Sequence, residues 1–113
     1  MQKILLISLL FLSFKMQAQT LGYACIYSKS LCGGKTASGK KLDCSDLTAA
    51  HRSFPLGSKV RVTNLKTGNS VVVTITDRGP FSKKLSIDLT PRAAKAIDLD
   101  YIRGIVKVKM EKL

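Results

Sequence analysis

The stretch KVRVTNLKTGNSVVVTITDRGP, residues 59–80, contains the two clearest structural elements of the chain. Residues 59–63 alternate polar and apolar side chains, which is the pattern of a β-strand with one solvated face. Asn and Gly residues within 64–69 predict a hairpin turn. The β-branched run at 71–76 predicts a second strand that is buried on both faces or nearly so. Residues 77–80 end this strand, so the whole stretch predicts a β-hairpin.

Shorter elements are predicted on both sides of this hairpin. Thr90-Pro91 is typical of an N-cap followed by proline at the first helical position, and it predicts one or two helical turns from Arg92 to Ile97. The total of about six short strands and one small helix predicts an all-β fold with a small helix, either a compact barrel or a sandwich. The remaining strands are predicted at 23–27, 85–89 and 105–110, and residues 47–51 form either a short helical turn or an extended one.

The amino terminus has the three parts of a secretory signal peptide. Lys3 is basic, residues 4–14 form an almost unbroken apolar run, and Ala18 is a small residue at a cleavable position. The apolar run is well short of the roughly 20 residues that cross a hydrocarbon core, so no stable membrane anchor is expected. We therefore predict a signal peptide at residues 1–18, followed by one domain at residues 19–113.

The chain is strongly basic, with 19 Lys and Arg against 7 Asp and Glu and a formal net charge of +12. We expect an exported monomer, in the periplasm or outside the cell. There it meets anionic wall polymers, stem-peptide carboxylates and lipid head groups, and long-range attraction concentrates a basic protein at them. Nucleic acid is not an expected partner in that compartment. The alternative is that the lysines are merely solvated.

The chain has three cysteines, Cys25, Cys32 and Cys44, and an exported chain of this size gains from a disulfide. Three pairings are possible, and each leaves one cysteine free or in an intermolecular link. We favour Cys32 with Cys44, because these two flank the same polar loop. Cys25 lies well downstream of the apolar run, so a lipid anchor is not expected. His51 is the only histidine and no Cys-x-x-Cys spacing occurs, so neither a metal nor another cofactor is expected.

Several ordered segments together resemble one family, the RlpA-like domain. The resemblance covers nearly all of residues 19–113, and it implies a six-stranded double-psi β-barrel. That fold is shared with barwin-like plant proteins and with the first domain of expansins. The segments that carry the resemblance are Lys35–Gly39, Leu47–His51, Pro55–Leu65, Gly68–Val73, Thr76–Phe81 and Ile87–Thr90.

The resemblance implies endolytic transglycosylase activity on peptidoglycan glycan strands of the bacterial cell envelope, with a preference for strands poor in stem peptides. Cleavage between N-acetylmuramic acid and N-acetylglucosamine needs an acid that protonates the leaving oxygen and a site that stabilises an oxocarbenium-like transition state. The sugar's own 6-hydroxyl replaces water and leaves a 1,6-anhydro end, so the same carboxyl can return as the base. The resemblance places the family's acid at Asp77 and a supporting histidine at His51.

Substrate contacts are expected from Thr36, Ser38, Arg78 and Phe81. Each candidate also has a structural interpretation. An Asp before Gly-Pro is most often a turn residue that caps backbone amides, and this applies to Asp77. A lone histidine such as His51 is more often a packed, hydrogen-bonded residue than a catalytic one. The alternative for Arg78 is a solvated surface side chain. Aromatic residues such as Phe81 and Tyr27 belong to the core more often than they stack on sugars.

Lys40 is the main departure from the family, which commonly has Glu at this position. An ammonium near Asp77 favours the ionised carboxylate and makes Asp77 a poorer proton donor. The sequence therefore leaves a second function open, a non-catalytic wall-binding or wall-loosening module in the manner of an expansin. Asp43 lies close in sequence and is a candidate to replace the missing carboxylate. A third candidate is a basic secreted protein that binds anionic membranes.

Overall fold

The computed structural model describes residues 19–113, and the predicted signal peptide at 1–18 lies outside the described residues. The described part contains six β-strands, one α-helix and one turn of 3-10 helix at Lys29–Leu31. No helix within it has the length and apolar character that crossing a membrane requires. The elements are β1 (Gln19–Ile26), β2 (Thr48–His51), β3 (Lys59–Asn64), β4 (Ser70–Asp77), β5 (Ile87–Leu89), α1 (Pro91–Ala96) and β6 (Ile105–Lys112).

The six strands close into one barrel in the order β1-β5-β2-β4-β3-β6. Two neighbouring pairs, β1 with β5 and β2 with β4, run parallel, and the other four pairs are antiparallel. Closure leaves no unpaired sheet edge, which is how a small all-β domain avoids exposing backbone donors and acceptors. The predicted six-stranded barrel with one small helix is confirmed.

The predicted hairpin forms as β3 and β4, with Val60 opposite Val73. The prediction that the β4 segment is buried on both faces is wrong. Val73 and Ile75 are fully buried, whereas Val72 is 39% exposed. A barrel strand turns one face to the interior and the other outward, so alternate residues of even a β-branched run meet solvent. The run at 71–76 thus reflects strand propensity rather than burial on both faces.

Residues 47–51, for which the sequence allowed either a helical or an extended turn, are extended over 48–51. This stretch forms β2, which lies between β4 and β5. β1 and β6 are both longer than predicted, because they pair with each other continuously from Gln19 opposite Glu111 to Cys25 opposite Ile105. The predicted helix start is confirmed, since the Thr90 side chain accepts a hydrogen bond from the Ala93 amide.

A disulfide joins Cys32 to Cys44, with their Cα atoms 5.7 Å apart, and Cys25 is a free, partly buried thiol. The favoured pairing is confirmed. The residues between the two cysteines fold back on themselves as a hairpin, in which the Gly33 amide donates to Leu42 O and the Leu42 amide donates to Gly34 O, each at 2.7 Å. Residues 32–44 are called the disulfide loop below.

Candidate active site

A β-bulge in the pairing of β2 with β4 determines the position of the candidate site. Ala49 lies opposite Ile75, and both are fully buried in the barrel core. The next pair is Ala50 with Asp77, so Thr76 has no partner on β2. Such a bulge changes which side of the sheet the following residues face. Asp77 is thereby placed beside Ala50 on the outer face, instead of continuing the inward alternation of β4.

Ala50 sits between two carboxylates. It lies opposite Asp77 on β4 and opposite Asp88 on β5. Neighbouring strands are about 4.8 Å apart, so the Cα atoms of the two aspartates are about 10 Å apart across Ala50. Ala50 itself packs with Tyr27 and Leu42 in a small cluster separate from the barrel core. Leu42 belongs to the disulfide loop, so this loop covers the outer face on which the two aspartates lie.

Asp77 is partly buried and accepts three hydrogen bonds from three parts of the chain. Oδ1 accepts from the backbone amides of Ala37 and Arg78, each at 2.9 Å. Oδ2 accepts from the Tyr27 hydroxyl at 3.1 Å. Asp77 therefore does cap backbone amides, as the structural interpretation proposed. The same bonds also fix the carboxylate rigidly between the disulfide loop and the end of β1.

The tip of the disulfide loop carries Thr36 and Ser38. The Thr36 side chain is buried, and its hydroxyl donates to Lys40 O at 2.6 Å and lies 2.8 Å from Ser38 Oγ. The Ser38 amide donates to Thr76 O at 3.0 Å, while the residue itself is exposed. The Lys40 amide also donates to Ser38 Oγ at 3.4 Å. Thr36 thus shapes the loop from inside, and the Ser38 hydroxyl is bonded within the loop although the residue is exposed next to the end of β4.

Neither Lys40 nor Asp43 contacts Asp77 as an ion-pair partner or a hydrogen-bond donor. Lys40 is exposed, and within residues 19–113 the only ion pair is Lys109 with Glu111 at 3.4 Å. Asp43 Oδ1 accepts from both the amide and the hydroxyl of Ser45, and these hydrogen bonds hold the pKa of Asp43 below its usual value. Asp43 therefore stabilises its own exposed turn.

Tyr27 is a site residue that the sequence indicated only as a core or stacking aromatic. Its side chain is buried, so its ring is not available to stack on a sugar. Burial, the charge of Asp77 and the hydrogen bond to Asp77 all raise the pKa of Tyr27, which keeps its hydroxyl protonated as a donor. Its backbone oxygen accepts from the Tyr101 hydroxyl at 3.0 Å, which holds the residue in place.

Asp88 was not among the residues expected at the site. It lies opposite Cys25 in the parallel pair of β1 and β5, and the Cys25 thiol donates to its Oδ1. Burial, this hydrogen bond and the charge of Asp88 raise the pKa of the Cys25 thiol, which therefore stays protonated. The sequence carried no clear signal for this role, because a polar residue between Ile87 and Leu89 is the ordinary alternation of a strand with one outward face.

His51 follows Ala50 and is held in one orientation. Its Nδ1 accepts from the amides of Ser53 at 3.1 Å and Phe54 at 3.0 Å, and its ring stacks on Phe54 with centroids 3.9 Å apart. Burial lowers the pKa of His51, and the charges of Arg52 and Arg78 lower it further. A neutral ring that accepts at Nδ1 carries its proton on Nε2, so Nε2–H is the group left to donate.

Two arginines fix the loops beside His51. Arg78 donates to the backbone oxygens of His51 at 3.1 Å and Phe54 at 2.6 Å, so its guanidinium is engaged by the protein. Arg52 donates in the same way to the oxygens of Pro80 and Ser82, at 2.7 and 3.1 Å. The loop that Arg52 holds carries Phe81.

Phe81 is 89% exposed, so it is not a core residue and its ring is open to a ligand. The structure thus brings Asp77 together with Ser38 and Tyr27, and places His51 and Arg78 in the adjoining turn. Within the part of the chain that the structure describes, no three His, Cys, Asp or Glu side chains converge as metal ligands do.

The closed six-stranded mixed barrel, with two parallel and four antiparallel strand pairs, is the architecture of a double-psi β-barrel protein, and here two carboxylates lie on its outer face. Solved structures agree with this class. An expansin of Clavibacter michiganensis superposes with a TM-score of 0.68 at 22% identity, over 85% of this chain and 50% of that one. A Streptomyces papain inhibitor gives 0.67 at 22% identity, over 85% and 94%. The predicted double-psi β-barrel is confirmed.

The chain belongs to the lytic transglycolase family, whose model matches residues 19–110. Proteins named probable endolytic peptidoglycan transglycosylase RlpA are 49% identical over 90 residues in Synechocystis and 43% over 91 residues in Treponema pallidum. Each match covers 80% of this chain and 28% of the relative. The endolytic peptidoglycan transglycosylase RlpA of Haemophilus influenzae is 47% identical over 92 residues, or 81% of this chain and 32% of its own length. The chain thus spans about a third or less of these relatives.

Proposed function

We propose that the protein is an exported peptidoglycan lytic transglycosylase. It cleaves glycan strands internally, between N-acetylmuramic acid and N-acetylglucosamine, and leaves 1,6-anhydro ends. Family membership and the names of the relatives support the reaction class. The observation that carries the proposal is the position of Asp77, which the bulge beside Ala50 turns onto the outer face and which three donors hold there.

Asp77 acts first as the acid and then as the base. Its proton passes to the glycosidic oxygen as the bond from that oxygen to the anomeric carbon breaks. The 6-hydroxyl of the same muramic acid then attacks the anomeric carbon, and the hydroxyl proton returns to the Asp77 carboxylate. The enzyme is regenerated without consuming water, and the anhydro ring forms in the same step.

Asp88 supplies the second negative charge of the site. Its carboxylate lies on the far side of Ala50 from Asp77. The same charge stabilises the oxocarbenium-like transition state. The Cys25 thiol holds Asp88 in place through its hydrogen bond to Oδ1.

His51 and the loop residues position the strand. With Nδ1 occupied by two backbone amides, the only donor that His51 offers a sugar is Nε2–H. Ser38 is an exposed residue next to Asp77 whose hydroxyl oxygen can accept from a sugar, and Phe81 offers an exposed ring to a sugar face. Thr36 and Arg78 act mainly by fixing the loops that carry these groups, since their own polar atoms bond to the protein backbone.

The protein works in the cell envelope, in the periplasm or outside the cell, after removal of residues 1–18. The Cys32–Cys44 disulfide is typical of an oxidising compartment. Removal of residues 1–18 takes away Lys3 and Lys15, so the exported chain keeps a formal net charge of +10, which concentrates it at anionic wall polymers.

A non-catalytic wall-binding function is the second candidate, and one observation favours it. Both oxygens of Asp77 already accept hydrogen bonds from the protein, three in all and two of them from backbone amides, which is the arrangement of a capping residue. A variant of the C. michiganensis expansin, whose solved structure is described as a complex with cellohexaose, shares the fold with a TM-score of 0.65 at 22% identity.

Mass analysis of purified glycan strands after incubation with the protein separates the two functions. A lytic transglycosylase produces fragments with 1,6-anhydro ends, and the Asp77→Asn variant does not, because the amide retains the side-chain shape and loses the acidic proton. Thermal unfolding of the variant must match the wild type closely, since Asp77 also caps two backbone amides. A wild-type protein that binds strands without cutting them would establish the wall-binding function instead.

A further inference from the structure

The outer face of β1 and β6 carries exposed apolar side chains. Leu21, Tyr23 and Ile105 are 63, 45 and 53% exposed, whereas Ala24, the residue after Tyr23, is fully buried in the core. The three exposed residues line one open cavity of about 560 Å³, which the loop before β5 completes. Contiguous apolar residues on a surface mark an interaction site, whereas single ones do not. These three residues are called the apolar strip below.

A close contact holds the loop before β5 against the apolar strip. A Cβ atom on Gly22 would lie 2.1 Å from Ser86 Oγ, so glycine is required where Ser86 packs on β1. Ser86 Oγ accepts from the Tyr23 amide at 3.2 Å, and the Ser86 amide donates to Tyr23 O at 2.8 Å. These contacts fix the loop beside β1, and with it Lys83 and Lys84, which line the same cavity.

Lysines flank the apolar strip on both sides. On one side, Lys83 and Lys84 line the cavity from the loop before β5. On the other side, β6 pairs with β1 so that Lys107 lies opposite Tyr23, and Lys109 lies opposite the other strip residue of β1. Side chains directly opposite each other on antiparallel strands share a face and lie about 5 Å apart at Cβ. The face is thus apolar along its centre and cationic along both edges.

The charge of the two edges is largely uncompensated. Within residues 19–113 the only ion pair joins Lys109 to Glu111 at 3.4 Å, so Lys83, Lys84 and Lys107 have no carboxylate partner in the described chain. None of the residues that line the cavity is acidic. Three ammonium groups therefore stand around exposed apolar side chains with no neutralising charge beside them.

This combination fits the surface of an anionic phospholipid bilayer. Aliphatic side chains enter the boundary between head groups and acyl chains, and a tyrosine ring lies at head-group level. Lysine side chains extend along an apolar surface and place their ammonium groups at the lipid phosphates. A soluble anionic polymer would leave Leu21 and Ile105 in water, and a neutral glycan would leave the lysines without counter-charges. A bilayer satisfies both parts of the face.

We propose that this face of the barrel binds the protein reversibly to anionic phospholipid membranes. The inference goes beyond the proposed function and does not rest on it, because the face contains neither Asp77 nor the residues that hold Asp77. Long-range attraction brings the basic chain to the membrane, and burial of the apolar strip keeps the face in contact with it. Reversible contact of this kind needs neither a spanning helix nor a covalent lipid.

Sedimentation with lipid vesicles tests the surface in the absence of glycan. Vesicles of phosphatidylglycerol and phosphatidylcholine in equal parts are compared with vesicles of phosphatidylcholine alone, using the exported form of the protein. We expect binding to the anionic vesicles only. Lys83→Gln/Lys84→Gln should weaken this binding about thirtyfold, at roughly fivefold for each lysine near an anionic surface.

A matched double variant controls for net charge. Lys41→Gln/Lys95→Gln removes the same charge from exposed lysines that do not belong to the face. It should weaken vesicle binding by about twofold or less, because salt screens charges that do not approach the membrane.

A second pair of variants tests the apolar strip. Leu21→Thr/Ile105→Thr removes aliphatic surface at positions that are already exposed and keeps β-branched side chains that suit a strand. Vesicle binding should fall about tenfold, because less apolar area enters the bilayer. Val72→Thr makes the same kind of change at an exposed position of β4 and should leave binding within about twofold of wild type. The melting temperatures of all variants should match that of the wild type.

Four results would overturn the membrane surface. Wild type that binds no anionic vesicles would remove the bilayer as the partner. Equal losses in both lysine variants would show attraction by net charge alone. Unchanged binding by Leu21→Thr/Ile105→Thr would show that the strip does not enter the bilayer. Variants of the face that keep their affinity for vesicles but lose binding to purified glycan strands would assign the face to the wall polymer. Because the vesicle assay involves no cleavage, its failure would leave the proposed reaction standing, and an inactive protein would leave the membrane surface standing.

Discussion

The hydroxyl of Tyr27 donates a 3.1 Å hydrogen bond to Oδ2 of Asp77, across 50 residues of sequence. The two residues lie at the ends of β1 and β4, which are not neighbours in the barrel. Between them stand β5 and β2, which carry Asp88 and Ala50. The hydrogen bond therefore connects the two sides of the candidate site. The charge of Asp88 also contributes to the raised pKa of Tyr27.

Tyr27→Phe removes this donor and keeps the buried ring. A hydrogen bond to a charged group contributes about 1.5–3 kcal/mol, so we expect a loss of turnover of about ten- to a hundredfold. The loss should fall on kcat rather than on KM, because Tyr27 orients Asp77 and does not touch the sugar. The measurement is the rate of anhydro-product formation, with thermal unfolding in parallel.

Tyr101→Phe is the matched control, since it removes a hydrogen bond to the backbone oxygen of Tyr27 and leaves the Tyr27 hydroxyl intact. Its kcat should stay within about twofold of wild type. Equal losses in both variants would mean that Tyr27 supports the fold and does not orient Asp77.

Lys40→Glu places a carboxylate on the disulfide loop, which also holds Ala37 against Asp77. A negative charge there helps to stabilise an oxocarbenium-like transition state, so product formation should rise about threefold at neutral pH. The pH profile of product formation measures this. Lys41→Glu makes the same charge change on the adjacent exposed residue, and it should have a smaller effect. A profile that is identical in all three proteins would exclude position 40 from any effect on product formation.

His51 should make stability depend on pH. Burial lowers its pKa below the ordinary value of 6.5, so the unfolded chain binds the proton more readily than the folded one. Stability from the neutral ring is therefore full above pH 6.5 and is lost as the pH falls through the lowered pKa. The melting temperature of the wild type should drop more steeply below pH 6.5 than that of His51→Asn.

Asparagine at position 51 is the appropriate replacement because its Oδ1 can accept from the Ser53 and Phe54 amides in place of Nδ1. It does not titrate in this range. Parallel melting curves for the two proteins between pH 7.5 and 5 would show that His51 does not carry the dependence.

The disulfide should contribute to both stability and activity. Closing a loop of this size contributes about 3 kcal/mol, so Cys32→Ser/Cys44→Ser should lower the free energy of unfolding by roughly that amount. Activity should fall too, because the loop delivers the Ala37 amide to Asp77. Denaturant unfolding and product formation are the measurements.

Cys25→Ser is the control for the disulfide, since it retains a donor for Asp88 and leaves Cys32–Cys44 intact. It should change the free energy of unfolding by less than about 1 kcal/mol. Thiol titration of unreduced wild type should find one reactive group after denaturation. Three thiols would contradict the disulfide itself.

Features set by neighbouring residues were predictable from the sequence. The alternation at 59–63, the turn at 64–69 and the Thr90-Pro91 helix start each depend on a few adjacent side chains, and all three appear in the structure. The Cys32–Cys44 pairing belongs with them, because the two cysteines flank one loop. The resemblance to a family added two further predictions, the closed six-stranded barrel and Asp77 as the candidate acid.

The chemistry around Asp77 depended on tertiary structure. Whether Val72 is exposed follows from closure of the barrel, and whether Asp77 faces outward follows from the bulge that pairs it with Ala50. Tyr27 and Asp88 became part of the site only through strand pairings between distant segments. The sequence by itself thus determined the hairpin of β3 and β4 and the helix cap, and it favoured the Cys32–Cys44 pairing over two alternatives. Only the tertiary structure decided which polar groups meet, because the register between distant strands is set by the whole barrel.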